Sequence, residues 1–214
     1  LAPTVQVALS RDRGRLWQDA RKTVPAKAVN DPIRVATCPF TGQDWVALTN
    51  GQRPLLVNPS AGKWALSFDG VDDQLSCFGM PLLSGGQTLA VAAAVAGTTG
   101  RVVNTNGGVN ALIQPRRDNN ALYVDGTVST ATVADASAHT TVALKASGGN
   151  WRLRYDGVDQ AVMANSNDFT APLLGWSALL IDAVPCTVYG FVPVQAGLSA
   201  AELASLEDYL KGLY

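Results

Sequence analysis

Trp64, Leu66 and Phe68 alternate with Ala65 and Ser67. This period of two predicts a half-buried strand over Lys63–Phe68. Asp69-Gly70 then supplies a tight-turn pair, and Gln74-Leu75-Ser76-Cys77-Phe78 leads away. The stretch Lys63–Ser76 is therefore expected to fold as a β-hairpin. Gln87–Val95 is a long apolar run, the pattern of a strand buried on both faces. Further strands are expected at Ala111–Gln114, Ala121–Val124, His139–Ala146, Trp151–Tyr155, Gln160–Ala164, Leu179–Ile181 and Cys186–Val194. In Trp151–Tyr155 the apolar Trp151, Leu153 and Tyr155 share one face, and Arg152 and Arg154 the other. Phe68-Asp69-Gly70, Val124-Asp125-Gly126 and Tyr155-Asp156-Gly157 each end an apolar strand in Asp-Gly. Short strands at near-regular spacing with such turns predict a sandwich or jelly roll.

The pattern changes at the end of the chain. Leu203, Leu206, Leu210 and Leu213 recur at helical spacing. Ser199 and Glu202 stand as N-cap and N3 of a capping box, with Leu198 and Leu203 placed as a hydrophobic staple. A helix is predicted over about 200–211, stopping near Gly212.

Composition narrows the class. The chain has 214 residues, 47% hydrophobic and 15% charged, with a formal net charge of −1. It can bury a sizeable core, and it carries no basic block, so nucleic acid is not an expected partner. The apolar run Leu89–Ala96 is too short to span a bilayer as a helix, so no membrane insertion is expected. No basic segment precedes an apolar one in the manner of a signal peptide. Cys38, Cys77 and Cys186 are widely spaced and odd in number, without a C-x-x-C pair. Three buried thiols are expected, although one disulfide is possible on this count, and a zinc site is not expected.

Residues 1–60 differ in texture. They hold eight of the sixteen basic residues and six of the eleven prolines. This segment is expected to be an N-terminal arm with edge strands, ahead of a sandwich over 61–214. Arg11, Arg13, Arg15 and Trp17 are its candidate assembly contacts, because arginine and tryptophan dominate interface energetics. The plain alternative is that the segment supplies only extra edge strands of the same domain.

LSFDGVDDQLS resembles the L-x-F-D-G-x-x-D signature that opens laminin-G-like, concanavalin-A-like modules. Arg154-Tyr155-Asp156-Gly157 is close to the Y-x-D-G hairpin of that family, without the intervening residue. Gly197-Leu198-Ser199 through Tyr209-Leu210 resembles its closing segment. The resemblance covers roughly residues 61–214. It implies an all-β fold: a concanavalin-A-like jelly-roll sandwich of two antiparallel sheets, with a short C-terminal helix. Leu16-Trp17-Gln18-Asp19, Val24-Pro25, Asp31-Pro32-Ile33 and Arg53-Pro54 resemble the lead-in to this module in bacteriophage structural proteins. The glycine-rich D-x-S-G-N-G segment of those proteins is replaced by Thr41-Gly42-Gln43-Asp44.

Candidate chemistry is sparse. The two glutamates, Glu202 and Glu207, both lie on the terminal helix, so the clustered E-x-D-x-x-E carboxylates of sandwich glucanases are absent. His139 is the single histidine; no G-x-S-x-G elbow accompanies it, and a structural strand-edge role is expected. Asp69, Asp72 and Asp73 form the tight carboxylate cluster. They are the weak metal candidates, for Ca²⁺, although solvated turn residues are the expectation and no cofactor is expected. Trp64 and Trp151 are expected in the core. Trp45 and Trp176 stand in loop-like surroundings, where an indole could stack on a sugar or anchor the chain on a neighbour; they are the candidate ligand-binding residues.

These readings converge on a non-catalytic bacteriophage virion protein, a capsid decoration or tail appendage at the virion surface. Other virion subunits or copies of itself are the expected partners, with surface polysaccharide as a further ligand. A secreted bacterial carbohydrate-binding or adhesion module is the alternative.

Overall fold

The computed structural model describes residues 13–40, 42–77, 86–96, 101–105, 112–117, 121–124, 127–132, 136–145, 149–162, 179–182, 185–194 and 197–214. They form two antiparallel sheets and a C-terminal helix. The nine-stranded sheet runs β1 (Leu16–Trp17), β2 (Val35–Thr37), β3 (Asp44–Val46), β6 (Leu75–Cys77), β15 (Leu179–Asp182), β8 (Arg101–Thr105), β9 (Leu112–Arg117), β10 (Ala121–Val124), β11 (Thr127–Thr132). The seven-stranded sheet runs β14 (Val158–Val162), β13 (Trp151–Tyr155), β12 (Ala138–Lys145), β7 (Gln87–Val95), β16 (Cys186–Val194), β5 (Lys63–Phe68), β4 (Leu55–Ser60). The expected all-β sandwich is the observed fold.

Strand β7 is buried at every position except Ala94, as its apolar run predicts. Its two faces are covered differently. One looks into the core between the sheets, where Trp45 of β3 meets Phe191 of β16 edge to face at 5.8 Å and 88°. The helix α1 (Ala200–Lys211) packs over β7 and β12. Its end sits close to β16, where a Cβ on Gly190 would overlap the Leu213 side chain. Glycine is therefore what lets the helix end approach the sheet.

The helix occupies the predicted span. Ser199 Oγ accepts from Glu202 N and the Glu202 carboxylate accepts from Ser199 N, completing the capping box. Leu203, Leu210 and Leu213 are buried, and Leu206 is half-buried against the core. The β13–β14 hairpin turns through Asp156 at φ +49° and Gly157 at φ +85°, both left-handed, as a two-residue type I′ turn needs. Cys38, Cys77 and Cys186 are buried thiols, as expected.

Two expectations are corrected. Lys63–Ser76 is not a hairpin. β5 pairs with β4 and β16 in one sheet, whereas β6 pairs with β3 and β15 in the other. The Asp-rich reversal is a crossover between sheets, because Phe68 and Leu75 both have to bury their side chains in the layer between them. Nor do residues 13–60 form an arm apart from the sandwich. They supply β1–β3 to one sheet and β4 to the other, and Leu16, Ile33, Ala36, Trp45 and Leu56 are wholly buried in the shared core. β1 and β4 are edge strands of the two sheets, as expected of that segment, whereas β2 and β3 lie inside β1; residues 1–12 lie outside the described residues.

Candidate functional site

The short strand β1 sets up the first site. Leu16 points into the core, so its neighbour Trp17 lies on the other face, half-buried. After it the chain reverses through a turn held by Asp19. That carboxylate accepts from Thr23 N at 2.9 Å, Val24 N at 2.8 Å and Thr23 Oγ1 at 2.8 Å. The Val24 N–H above all, with the Thr23 donors, holds the Asp19 carboxyl below its ordinary range. Gln18 N donates to Val24 O at 2.8 Å and closes the loop.

This turn places Lys22, at φ +57°, beside the β2–β3 ladder. Thr37 and Asp44 are cross-strand partners there. Lys22 Nζ lies 2.7 Å from Asp44 Oδ1, which also accepts from Thr37 Oγ1 at 2.8 Å. Arg15, Trp17, Lys22, Thr37 and the Gly14 backbone line an open cavity of about 380 Å³. An indole, a hydroxyl and two cationic side chains converge on it, with one carboxylate behind. This suits a polar ring carrying an anionic substituent: the indole covers an apolar face and the cations meet the charge.

Of the expected assembly contacts, Arg15 and Trp17 are thus brought together in this cavity. Arg13 belongs to the 3₁₀ turn Arg13–Arg15 that precedes β1, and Arg11 lies outside the described residues. Lys22 and Thr37 were not singled out by sequence reasoning. Their signal is register: the Asp19 turn and the Thr37–Asp44 pair depend on contacts between strands that no local pattern encodes.

Trp45 is corrected. It lies in β3 with no exposed surface, stacked edge-on against Phe191, and so presents no face to a sugar. Trp176 lies outside the described residues. Trp151 is buried and Trp64 is half-buried against the core.

The carboxylates of the β5–β6 crossover do converge: oxygens of Asp69, Asp72 and Asp73 lie within 4.8 Å of one another. Asp69 Oδ1 accepts from Val71 N at 2.8 Å and from Asp72 and Asp73 N at 3.3 and 3.4 Å. Asp73 Oδ2 accepts from Asp69 N at 2.9 Å. Turn donors, Val71 N–H first, pull the Asp69 carboxyl down, whereas burial, with the charges of Asp69 and Asp72, pushes Asp73 up. The turn itself thus occupies much of the lone-pair capacity that a calcium ion would need. His139 is half-buried on β12, its Nδ1 2.7 Å from Asp156 Oδ2.

No protein-family model matches the sequence, and no curated protein matches it. Solved structures do. The binding domain of Paraclostridial Mosquitocidal Protein 1 is similar at TM-score 0.63 and 9% identity, over 85% of this chain and 51% of that one. Trypanosoma rangeli sialidase is similar at TM-score 0.61 and 14% identity, over 97% of this chain and 34% of that one, and equally so in its complex with sialic acid. The chain spans about half the length of the first and a third of the second. What is shared at such identities is the fold, a β-sandwich of two antiparallel sheets. This corrects the expectation of a non-catalytic protein. Enzymes are among the structures of this shape, so missing clustered glutamates exclude one reaction on the sandwich and not catalysis as a class.

Proposed function

We propose that this chain is a glycan-binding module of a bacteriophage virion, a capsid decoration or tail appendage. Its sugar site is the cavity formed by Arg15, Trp17, Lys22 and Thr37. That cavity carries the reading: in it an indole and two cationic side chains face one open space. The preferred ligand is an acidic sugar, because Arg15 and Lys22, both cationic, line the cavity beside the Trp17 indole. The fold shared with a toxin binding domain and with a sialidase held in complex with sialic acid supports this direction.

The virion role rests on the resemblance of residues 16–54 to the lead-in of phage structural proteins. Val24, Val29, Phe40 and Leu48 are large apolar side chains exposed within the same segment, which suits contact with other subunits.

The test is a titration with sialylated and neutral oligosaccharides and with bacterial polysaccharides, read by tryptophan fluorescence. Acidic glycans are expected to bind, and Lys22→Ala or Arg15→Ala to weaken them about tenfold, the loss of one charge-assisted hydrogen bond. No binding across the panel, or binding untouched by both variants, overturns the sugar site. Mass spectrometry of purified particles tests the location: many copies per particle are expected. Recovery from culture medium alone would favour the secreted adhesion module.

A further inference from the structure

The β12 strand start and the β13–β14 turn bring three side chains into line. Ser137 Oγ lies 3.0 Å from His139 Nε2, and His139 Nδ1 lies 2.7 Å from Asp156 Oδ2. Because a carboxylate can only accept, Nδ1 carries the proton. In the neutral imidazole Nε2 is then the acceptor for the Ser137 hydroxyl.

The imidazole is held from several directions. Asp156 Oδ1 accepts from Thr140 N at 2.8 Å, and Asp156 N donates to Thr140 O at 2.8 Å. The left-handed turn at Asp156 aims its carboxylate back at β12. The Tyr155 ring packs on His139 at 4.7 Å. Beneath them, Thr140 Oγ1 and Tyr214 Oη lie 3.1 Å apart, tying the chain end to the same strand. Ser137 itself is exposed, and only 17% of the His139 side chain is. A reachable hydroxyl, a base within hydrogen-bond distance and a carboxylate that orients the base are the parts of an activated nucleophile.

We infer that Ser137, His139 and Asp156 form a nucleophilic relay that cleaves short-chain O-acyl esters. Ser137 Oγ bonds to the acyl carbon as its proton passes to His139 Nε2. The tetrahedral adduct collapses, the ester C–O bond breaks, and the alcohol leaves with that proton. Water, deprotonated by the same nitrogen, then releases the carboxylic acid and restores the serine. Ser137 and His139 are the catalytic residues, and Asp156 is a positioning residue. The serine is presented from a strand end, two residues before its base, and not from a nucleophile elbow; sequence motifs for the elbow are blind to it. The exposed Ser137 hydroxyl can be reached by a small acyl group carried on a bulky alcohol.

The experiment uses the full chain with a fluorophosphonate probe and with p-nitrophenyl acetate. Labelling is expected on the Ser137 peptide and to vanish in Ser137→Ala. Asp156→Asn, which tolerates the left-handed turn, is expected to lower kcat at least tenfold with KM and melting temperature little changed. His139→Gln is expected to abolish turnover. Absence of label on Ser137 in the folded protein overturns the inference. So does labelling or turnover that Asp156→Asn and His139→Gln leave at the parent rate.

Discussion

Arg154 and Glu207 join the β13–β14 hairpin to the terminal helix by a two-pronged ion pair, Nε to Oε1 at 2.7 Å and Nη2 to Oε2 at 3.1 Å. The Glu207 side chain is 5% exposed and that of Arg154 18%. Arg154 Nη1 also donates to Asp159 Oδ1 at 2.8 Å, and Nη2 to the Gly157 carbonyl. Glu207 first, and then Asp159, raise the guanidinium above its ordinary range. A planar fork suits this geometry as an ammonium would not.

Arg154→Ala leaves the Glu207 carboxylate buried without its countercharge. The expected loss is about 3–5 kcal/mol in urea unfolding. Glu207→Gln, which keeps a hydrogen-bond acceptor, should lose less. A loss below about 1 kcal/mol for Arg154→Ala would mean that packing alone docks the helix.

The helix seat can be tested from both sides. Ser199→Ala removes the cap and should cost about 1 kcal/mol. Leu210→Ala opens a hole at a wholly buried position and should cost about 2–5 kcal/mol. Gly190→Ala drives a methyl into Leu213 and should cost about 1–3 kcal/mol through overpacking. A neutral Gly190→Ala would show that the helix end shifts freely on the sheet.

Burial, with the charges of Cys38 and Asp44 nearby, pushes the Cys77 thiol up to about 12. A disulfide reagent at pH 8 should therefore leave Cys77 unmodified in the folded protein and modify it in guanidinium. The linkage has a definite sign. Above about pH 8.5 the unfolded chain releases a proton that the folded chain keeps, so this group's contribution falls as pH rises from there toward 12. Fast modification of Cys77 at pH 8 without denaturant would contradict the burial.

Regular elements were legible because their signals are local. The period of two in Trp151–Tyr155, the apolar run Gln87–Val95 and the capping box at Ser199 each predict an element that the structure contains. Pairing was not legible. Phe68 and Leu75 flank a turn signal, and only the sandwich decides that they belong to opposite sheets. Trp45, between Asp44 and Val46, is too short a run to show a period, and so its burial against Phe191 stayed hidden. Asp156 was invisible as a partner of His139 for the same reason: the pairing of β12 with β13 brings it there.

The Asp69–Asp73 crossover holds two carboxylates shifted in opposite directions, and this predicts an unusual pH response. The lowered carboxyl of Asp69 contributes stability above its unfolded value of about 3.9, lost as pH falls through the folded value. The raised carboxyl of Asp73 works the other way: its contribution is present below about 3.9 and is lost as pH rises through its folded value. Ionising Asp73 thus puts a charge on a buried carboxyl beside those of Asp69 and Asp72. Asp73→Asn keeps an oxygen for the Asp69 N–H and removes the charge. It should melt higher than the parent at pH 7, and the difference should close near pH 3.5, where the parent carboxyl is protonated. EDTA should leave both melting temperatures unchanged. If Asp73→Asn melts lower at pH 7, and calcium raises the melting temperature of the parent alone, the cluster holds a cation and its charge is balanced by a ligand.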